Sequence, residues 1–247
     1  MGAIYIMWLR QLKRYWRSKP RLIGSLGQPL LFLVALGFGF NHIFEQAMGQ
    51  SYVDFLVPGV VAMSILFTAM FSGIELIWDR QFGFLKETLV APVTRTQIMI
   101  GRTLGGATVA AFQGILVLLI AMAIGYRPFF ATIPLALVFM FVVAFIFTAF
   151  GTAIASKMQD MQAFPLIINF IIMPLFFLSG ALFPLEGIPA TLDAVTRYNP
   201  LTYGVDALRF SFSGVSHFPL LLSTGVLVGA ALIVFGLGTY LFTRIEI

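Results

Sequence analysis

In a chain of 247 residues, 60% are hydrophobic, only 10% are charged, 27 are Phe and the mean hydropathy is +0.97, which excludes a soluble globular domain. The 15 Lys and Arg outnumber the 10 Asp and Glu, and the placement of that surplus points to membrane topology and not to a nucleic-acid partner. The absence of Cys excludes thiol chemistry and disulfides, and with His42 and His217 far apart no metal site is expected.

Residues 5 to 17 predict an amphipathic helix. Tyr5, Trp8, Leu9, Leu12 and Trp16 recur at helical spacing on one side, with Arg10, Lys13, Arg14 and Arg17 on the other. Two Trp and a Tyr beside a basic stripe suit the headgroup zone, so an interfacial helix over residues 1–21, ended by Pro20, is expected.

Six charge-free runs follow: Leu22 to Phe44, Phe55 to Ile74, Thr103 to Tyr126, Pro128 to Ser156, Met161 to Leu185, and Phe210 to Thr243. Each holds the roughly 20 apolar residues that a helix needs to cross a bilayer. The expected fold is an all-α polytopic membrane protein, a single domain over residues 1–247, with six spans. A cytoplasmic N-terminus puts twelve of the fifteen basic residues inside and leaves Arg127, Arg197 and Arg209 outside, so both termini are expected in the cytoplasm and the N-terminal segment is expected to be retained.

The stretches between spans are short. Within residues 78–102, a helix fits up to about Val90, Pro92 breaks it, and Thr94 with Gln97 forms a capping box that starts the next helix. This short cytoplasmic helix, with Leu85 and Leu89 beside Lys86 and Glu87, either docks into a soluble partner or tucks under the bundle as an amphipathic loop. The loop Ser156 to Gln162 offers a second, smaller cytoplasmic surface. Pro174 falls inside the fifth span and predicts a kink. Residues 184–217 are the long external segment, in which Pro189 and Pro200 bracket short helices lying on or dipping into the bundle.

Polar residues within spans are few. Ser64, Thr68 and Ser72 share one face of the second span, and Thr148, Thr152 and Ser156 repeat the spacing on the fourth; such stripes line a path or mediate packing. Glu75, an acid near an inner span end, requires a partner, with Arg80, Arg102 and Lys157 as candidates. Asn169 is a lone amide in the fifth span, and Gly101 with Gly105 permits close helix approach.

The sequence contains no phosphate loop, HExxH or GxSxG motif, so no catalytic residue is assigned and any energy source is expected on another chain. The nearly charge-free spans also argue against an ion-coupled secondary transporter.

Three stretches carry a resemblance: the basic N-terminal helix; the run Phe84-Leu85-Lys86-Glu87-Thr88-Leu89-Val90-Ala91-Pro92-Val93-Thr94-Arg95 continuing to Gly101-Arg102; and Leu178-Ser179-Gly180-Ala181-Leu182-Phe183-Pro184 with Tyr198-Asn199-Pro200-Leu201-Thr202-Tyr203-Gly204-Val205-Asp206-Ala207-Leu208-Arg209. The chain resembles, over nearly its whole length, the membrane subunit of an ABC-2 type ATP-binding-cassette exporter, similar to daunorubicin-resistance-like permeases.

The resemblance implies a prokaryotic cytoplasmic-membrane permease that pairs with a second permease copy, as a homodimer, and with two copies of a separate ATPase subunit, which would carry ATP and Mg. It makes Leu85, Lys86, Glu87, Leu89 and Pro92 the coupling segment, and the region of Phe183, Pro184, Asn199 and Pro200 an external gate. Ser64, Thr68, Ser72 and Asn169 are then expected to line the path. The aromatic spans suit a hydrophobic or amphipathic cargo; a polysaccharide or glycolipid cargo and a non-transporting scaffold or sensor are the alternatives.

Overall fold

The computed structural model describes residues 2–49 and 51–245, and within them the regular structure is entirely helical. Helix α1 (Gly2–Arg17) stops before Ser18, and α2 (Lys19–Met48) begins at once, so Pro20 sits in the first turn of α2. The expectation that Pro20 ends α1 is therefore corrected. In a first helical turn the N–H that proline lacks has no partner to lose.

Helices α3 (Tyr52–Phe71) and α4 (Ile74–Gln81) form one apolar run, and α5 (Phe84–Val90) is the short helix expected from the sequence. Helix α6 (Arg95–Ile124) opens on the capping box, with the Thr94 hydroxyl accepting from the Gln97 backbone N–H at 3.2 Å and the Gln97 side chain accepting from the Thr94 N–H at 3.1 Å. Helices α7 (Ile133–Lys157), α8 (Ala163–Phe177), α9 (Ala190–Tyr198), α10 (Pro200–Ser213) and α11 (Leu220–Thr243) complete the chain.

Among the described residues five helical runs are long and apolar enough to cross a bilayer: α2, α3 with α4, α6, α7 with the turn before it, and α11. Helix α8 is not among them, because its 15 residues reach about 22 Å against a hydrocarbon core of about 30 Å. The expected span Met161 to Leu185 is thus replaced by a shorter helix and a turn. Apolar content alone misled here, since the turn is equally apolar. Side chains take up carbonyls from the last turn of α8 onward: Asn199 donates to the Leu175 carbonyl at 2.6 Å, Thr202 to Leu178 at 3.4 Å, Arg209 to Gly180 at 2.9 Å and Tyr52 to Leu182 at 2.9 Å. Gly59 of α3 lets this turn approach, since a Cβ there would collide with the Ala181 carbonyl.

The last expected span also starts later than its composition suggested. Phe210 to Ser213 belong to α10, which Gly214 ends in the left-handed conformation at φ 74°. Asp206 then accepts the backbone N–H groups of His217 at 2.6 Å and Phe218 at 3.1 Å, fixing the entry to α11. Most of α10 is buried, packed against α3, α7 and α11, so it is a core element and not a surface helix.

Helix α3 is the centre of the bundle, with 14 of its residues from Tyr52 to Met70 buried. Helices α2 and α11 lie outside and leave Leu31, Phe38, Leu221 and Leu232 exposed.

Helix α1, expected at the membrane interface, is held against the bundle. It lies along α6, where a Cβ on Gly101 would come within 2.6 Å of the Met7 Cβ and one on Gly105 within 2.6 Å of the Gln11 Cβ. Farther along the same stripe Trp8 donates to the Thr108 hydroxyl at 3.1 Å, Trp16 packs on Phe112 and Tyr15 donates to Gln113. The pair Gly101 and Gly105 is therefore the seat of α1.

Candidate functional site

At one end of the bundle two carboxylates on α4, Glu75 and Asp79, stand one turn apart on the same helix face. Four arginines from three helices converge on them. Asp79 meets Arg102 of α6 at 2.6 Å, Arg10 of α1 at 2.8 Å and Arg14 of α1 at 3.4 Å; Glu75 meets Arg21 of α2 and lies 3.9 Å from Arg14. The partners expected for Glu75 are corrected accordingly. Arg102 is taken by Asp79, and Arg80 donates to the carbonyls of Ser156 at 3.0 Å and Met158 at 3.1 Å, while Lys157 is absent from the ion pairs among the described residues.

Asp79 was not singled out from the sequence. The signal was present in its four-residue spacing from Glu75 and in the matching spacing of Arg10 and Arg14. Removing one member of such a buried pair leaves an uncompensated charge, so the cluster ties α1, α2 and α6 to α4.

Helix α5 follows α4 directly. Leu85 is fully buried and seats it, whereas Lys86, Glu87, Val90 and Pro92 are exposed. The side chain of Leu89 lies outside the described residues. The arrangement presents a polar ridge with an apolar tip, held on a helix that is itself clamped by arginines.

Two recesses flank the cluster. A cavity of about 500 Å³ between α2 and the α3–α4 run is lined by Tyr15, Arg21, Ser25, Gln28, Pro29, Met63, Phe67, Thr68, Phe71, Glu75 and Trp78. Burial raises the Tyr15 hydroxyl above its ordinary pKa, Ser25 and Arg21 opposing. A larger groove of about 960 Å³ runs between α1 and the α4–α5 turn, with Arg10, Lys13, Arg14 and Arg17 on one wall and Trp78, Phe82, Phe84 and Glu87 on the other. Trp78 belongs to both, and the Arg14 guanidinium sits 5.5 Å from its ring.

The structure separates the residues expected to line a path. Only Thr68 of the hydroxyl stripe lines the cavity. Ser64 is sealed at 1% exposure, and Ser72 donates to the Ala69 carbonyl at 2.6 Å beside Gly106 and Thr148. On α7 Thr152 and Ser156 likewise bond their own helix. Asn169 is exposed on the outer face of α8, between Leu166 and Phe170 at 73% and 81% exposure.

At the opposite end Asn199 both caps α10, accepting from the Leu201 N–H at 3.0 Å, and holds the end of α8; Pro200 opens α10. Phe183 is exposed, and Pro184 borders a small cavity of about 160 Å³ with Asp54, Glu186 and Arg209. The Arg209 guanidinium lies 4.1 Å from the centre of the Phe55 ring, and burial brings it down to about 10, opposed by Asp206 and Tyr126.

The family model described as ABC-2 type transporter matches residues 2–213. The chain is 28% identical over 242 residues to nodulation protein J of Rhizobium leguminosarum bv. trifolii, covering 97% of this chain and 90% of that protein. It is 26% identical over 235 residues to the inner membrane transport permease YadH of Escherichia coli K12, covering 92% and 89%. It is 28% identical over 218 residues to the putative transport permease ycf38 of Cyanophora paradoxa, covering 85% and 74%.

Proposed function

Since the chain belongs to the ABC-2 type transporter family, whose permeases partner an ATP-binding subunit, we propose that it is the membrane half of an ATP-driven exporter of hydrophobic or amphipathic cargo. The observation that carries this reading is the placement of α5. Its inner side is anchored by Leu85 while Lys86, Glu87 and Val90 face outward, and it continues from the helix that holds the charge cluster. A stroke delivered to α5 by a soluble ATPase would pass to α4 and from there to α1, α2 and α6. ATP and Mg belong on that partner, present in two copies.

In this proposal both termini and α5 are cytoplasmic, and α8 with its turn serves as the sixth, incomplete crossing. The basic residues clustered at the Glu75 end support the orientation. Two chains pair through α8. An amide exposed on an otherwise apolar helix face is costly in lipid, and a second copy across Asn169 relieves that cost. Ser64, Thr68, Ser72 and Asn169 remain the path-lining residues of the proposal, and the turn around Phe183, Pro184, Asn199 and Pro200 its external gate. The aromatic spans favour an amphipathic cargo over a sugar polymer.

Co-expression with a cognate ATP-binding subunit tests the reading. The complex is expected to hydrolyse ATP and to accumulate cargo outside, and the permease alone to do neither. Single cysteines in this Cys-free chain test the orientation: one at Thr88 is expected to label from the cytoplasm and one at Asp193 from outside.

A further inference from the structure

The basic groove and the apolar cavity meet at Trp78, and each lacks what the other supplies. In the groove Arg10, Lys13, Arg14 and Arg17 face only two carboxylates, Asp79 and Glu87. Arg10 and Arg14 are engaged with the cluster, whereas Lys13 and Arg17 form no ion pair among the described residues and are exposed. The groove therefore holds unspent positive charge at the end of the bundle rich in basic side chains.

The cavity beyond Trp78 is walled by Pro29, Met63, Phe67 and Phe71 and has the volume of a small-ligand site. On its other faces α2 carries exposed apolar side chains, Ile23 at 68% and Leu31 at 69%, which set the helix that walls the cavity against lipid.

We propose that this composite recess binds an anionic phospholipid of the adjoining leaflet, its phosphate at Lys13 and Arg17 and one acyl chain past Trp78 into the cavity. Charge complementarity selects the head, because a phosphate accepts charge-assisted hydrogen bonds from both cations, whereas a zwitterionic head brings its own ammonium to an already cationic groove. The apolar cavity selects a lipid over an acidic peptide, which would fill the groove and leave the cavity empty. A lipid held there touches α1, α2, α3 and α4 together, so its presence sets how firmly the charge cluster is clamped. The recess lies away from Asn169 on the outer face of α8, while its cavity shares Thr68 with the path proposed above, and its test needs no transport.

The experiment uses the full chain with Trp8→Phe and Trp16→Phe, which leaves Trp78 as the one tryptophan of the three, reconstituted in phosphatidylcholine nanodiscs. Brominated-acyl phosphatidylglycerol and brominated-acyl phosphatidylcholine are titrated as quenchers. Trp78 is expected to be quenched preferentially by phosphatidylglycerol, and Lys13→Gln with Arg17→Gln to lower that preference by about five-fold per cation removed. Ser25→Phe, which obstructs the cavity, is expected to reduce quenching by both lipids while the groove is intact. Where a substitution impairs folding, raising the salt concentration is the second measurement, and it is expected to erode the preference in the unaltered groove. Equal quenching by the two lipids, or a preference indifferent to both salt and Lys13/Arg17, overturns the proposal. So does stronger quenching by a brominated free fatty acid than by phosphatidylglycerol, which would make the recess a cargo site.

Discussion

The guanidinium of Arg102 meets the carboxylate of Asp79 at 2.6 Å with the two side chains only 4% and 3% exposed, and this pair fastens α6 to the helix that leads into α5. Asp79→Leu alone is expected to cost about 3–5 kcal/mol by leaving Arg102 buried and unpaired, while Asp79→Leu with Arg102→Leu recovers most of that loss. Thermal unfolding in detergent for both single variants and the double variant checks it. Additive losses would mean that the two residues act independently.

Replacing Gly101 with Leu is expected to push α1 away from α6, because even a Cβ at that position falls within 2.6 Å of Met7 and 2.8 Å of the Ile4 carbonyl. The anticipated cost is about 1–3 kcal/mol, with greater proteolytic access to residues 2–17. The same change at Gly225, where no atom lies within 4 Å of the added Cβ, should leave stability unchanged.

Leu85→Ala removes the buried anchor of α5, and Leu89→Pro breaks the helix itself. Both are expected to retain normal membrane insertion and to lose ATP hydrolysis coupled to transport in the complex. Lys86→Ala with Glu87→Ala is expected to weaken binding of the ATPase subunit without altering the stability of the permease alone. Pull-down and turnover measurements separate the two effects.

Asn169→Leu is expected to lower or redirect transport with little change in unfolding temperature, since the side chain is exposed and forms no hydrogen bond among the described residues. A cysteine at the same position is expected to cross-link two copies. An intact monomer population under oxidising conditions would remove α8 from the pairing face.

Arg209→Lys is expected to destabilise by about 1–2 kcal/mol, measured by thermal unfolding. Lysine can still reach the Gly180 carbonyl but loses the planar stacking over Phe55.

Much of the bundle was legible in the sequence because hydropathy and charge placement act over whole helices. The cap at Thr94 and Gln97, the short helix ending near Val90 and five of the long apolar runs follow from local pattern alone. What stayed hidden depends on distant partners. The turn after Phe177 is as apolar as a span, and only Asn199, Thr202, Arg209 and Tyr52 make it possible. Likewise Glu75 needed a cation, but nothing local to α4 identifies Arg21, which is 54 residues away. The hydroxyl stripe divided because shared helical spacing does not fix what a helix face meets: Thr68 reaches a cavity and Ser64 the core.

The four side chains that hold the carbonyls beyond α8 restrict how the end of the bundle near Asn199 moves. Shifting α10 away from α8 by itself would strand the carbonyls of Leu175, Leu178 and Gly180, each at a penalty of roughly several kcal/mol where water is excluded. The end of α8, the following turn, α10 and the start of α3 are therefore expected to travel as one block, because Tyr52 ties the turn to α3 and α10 packs on α3, α7 and α11.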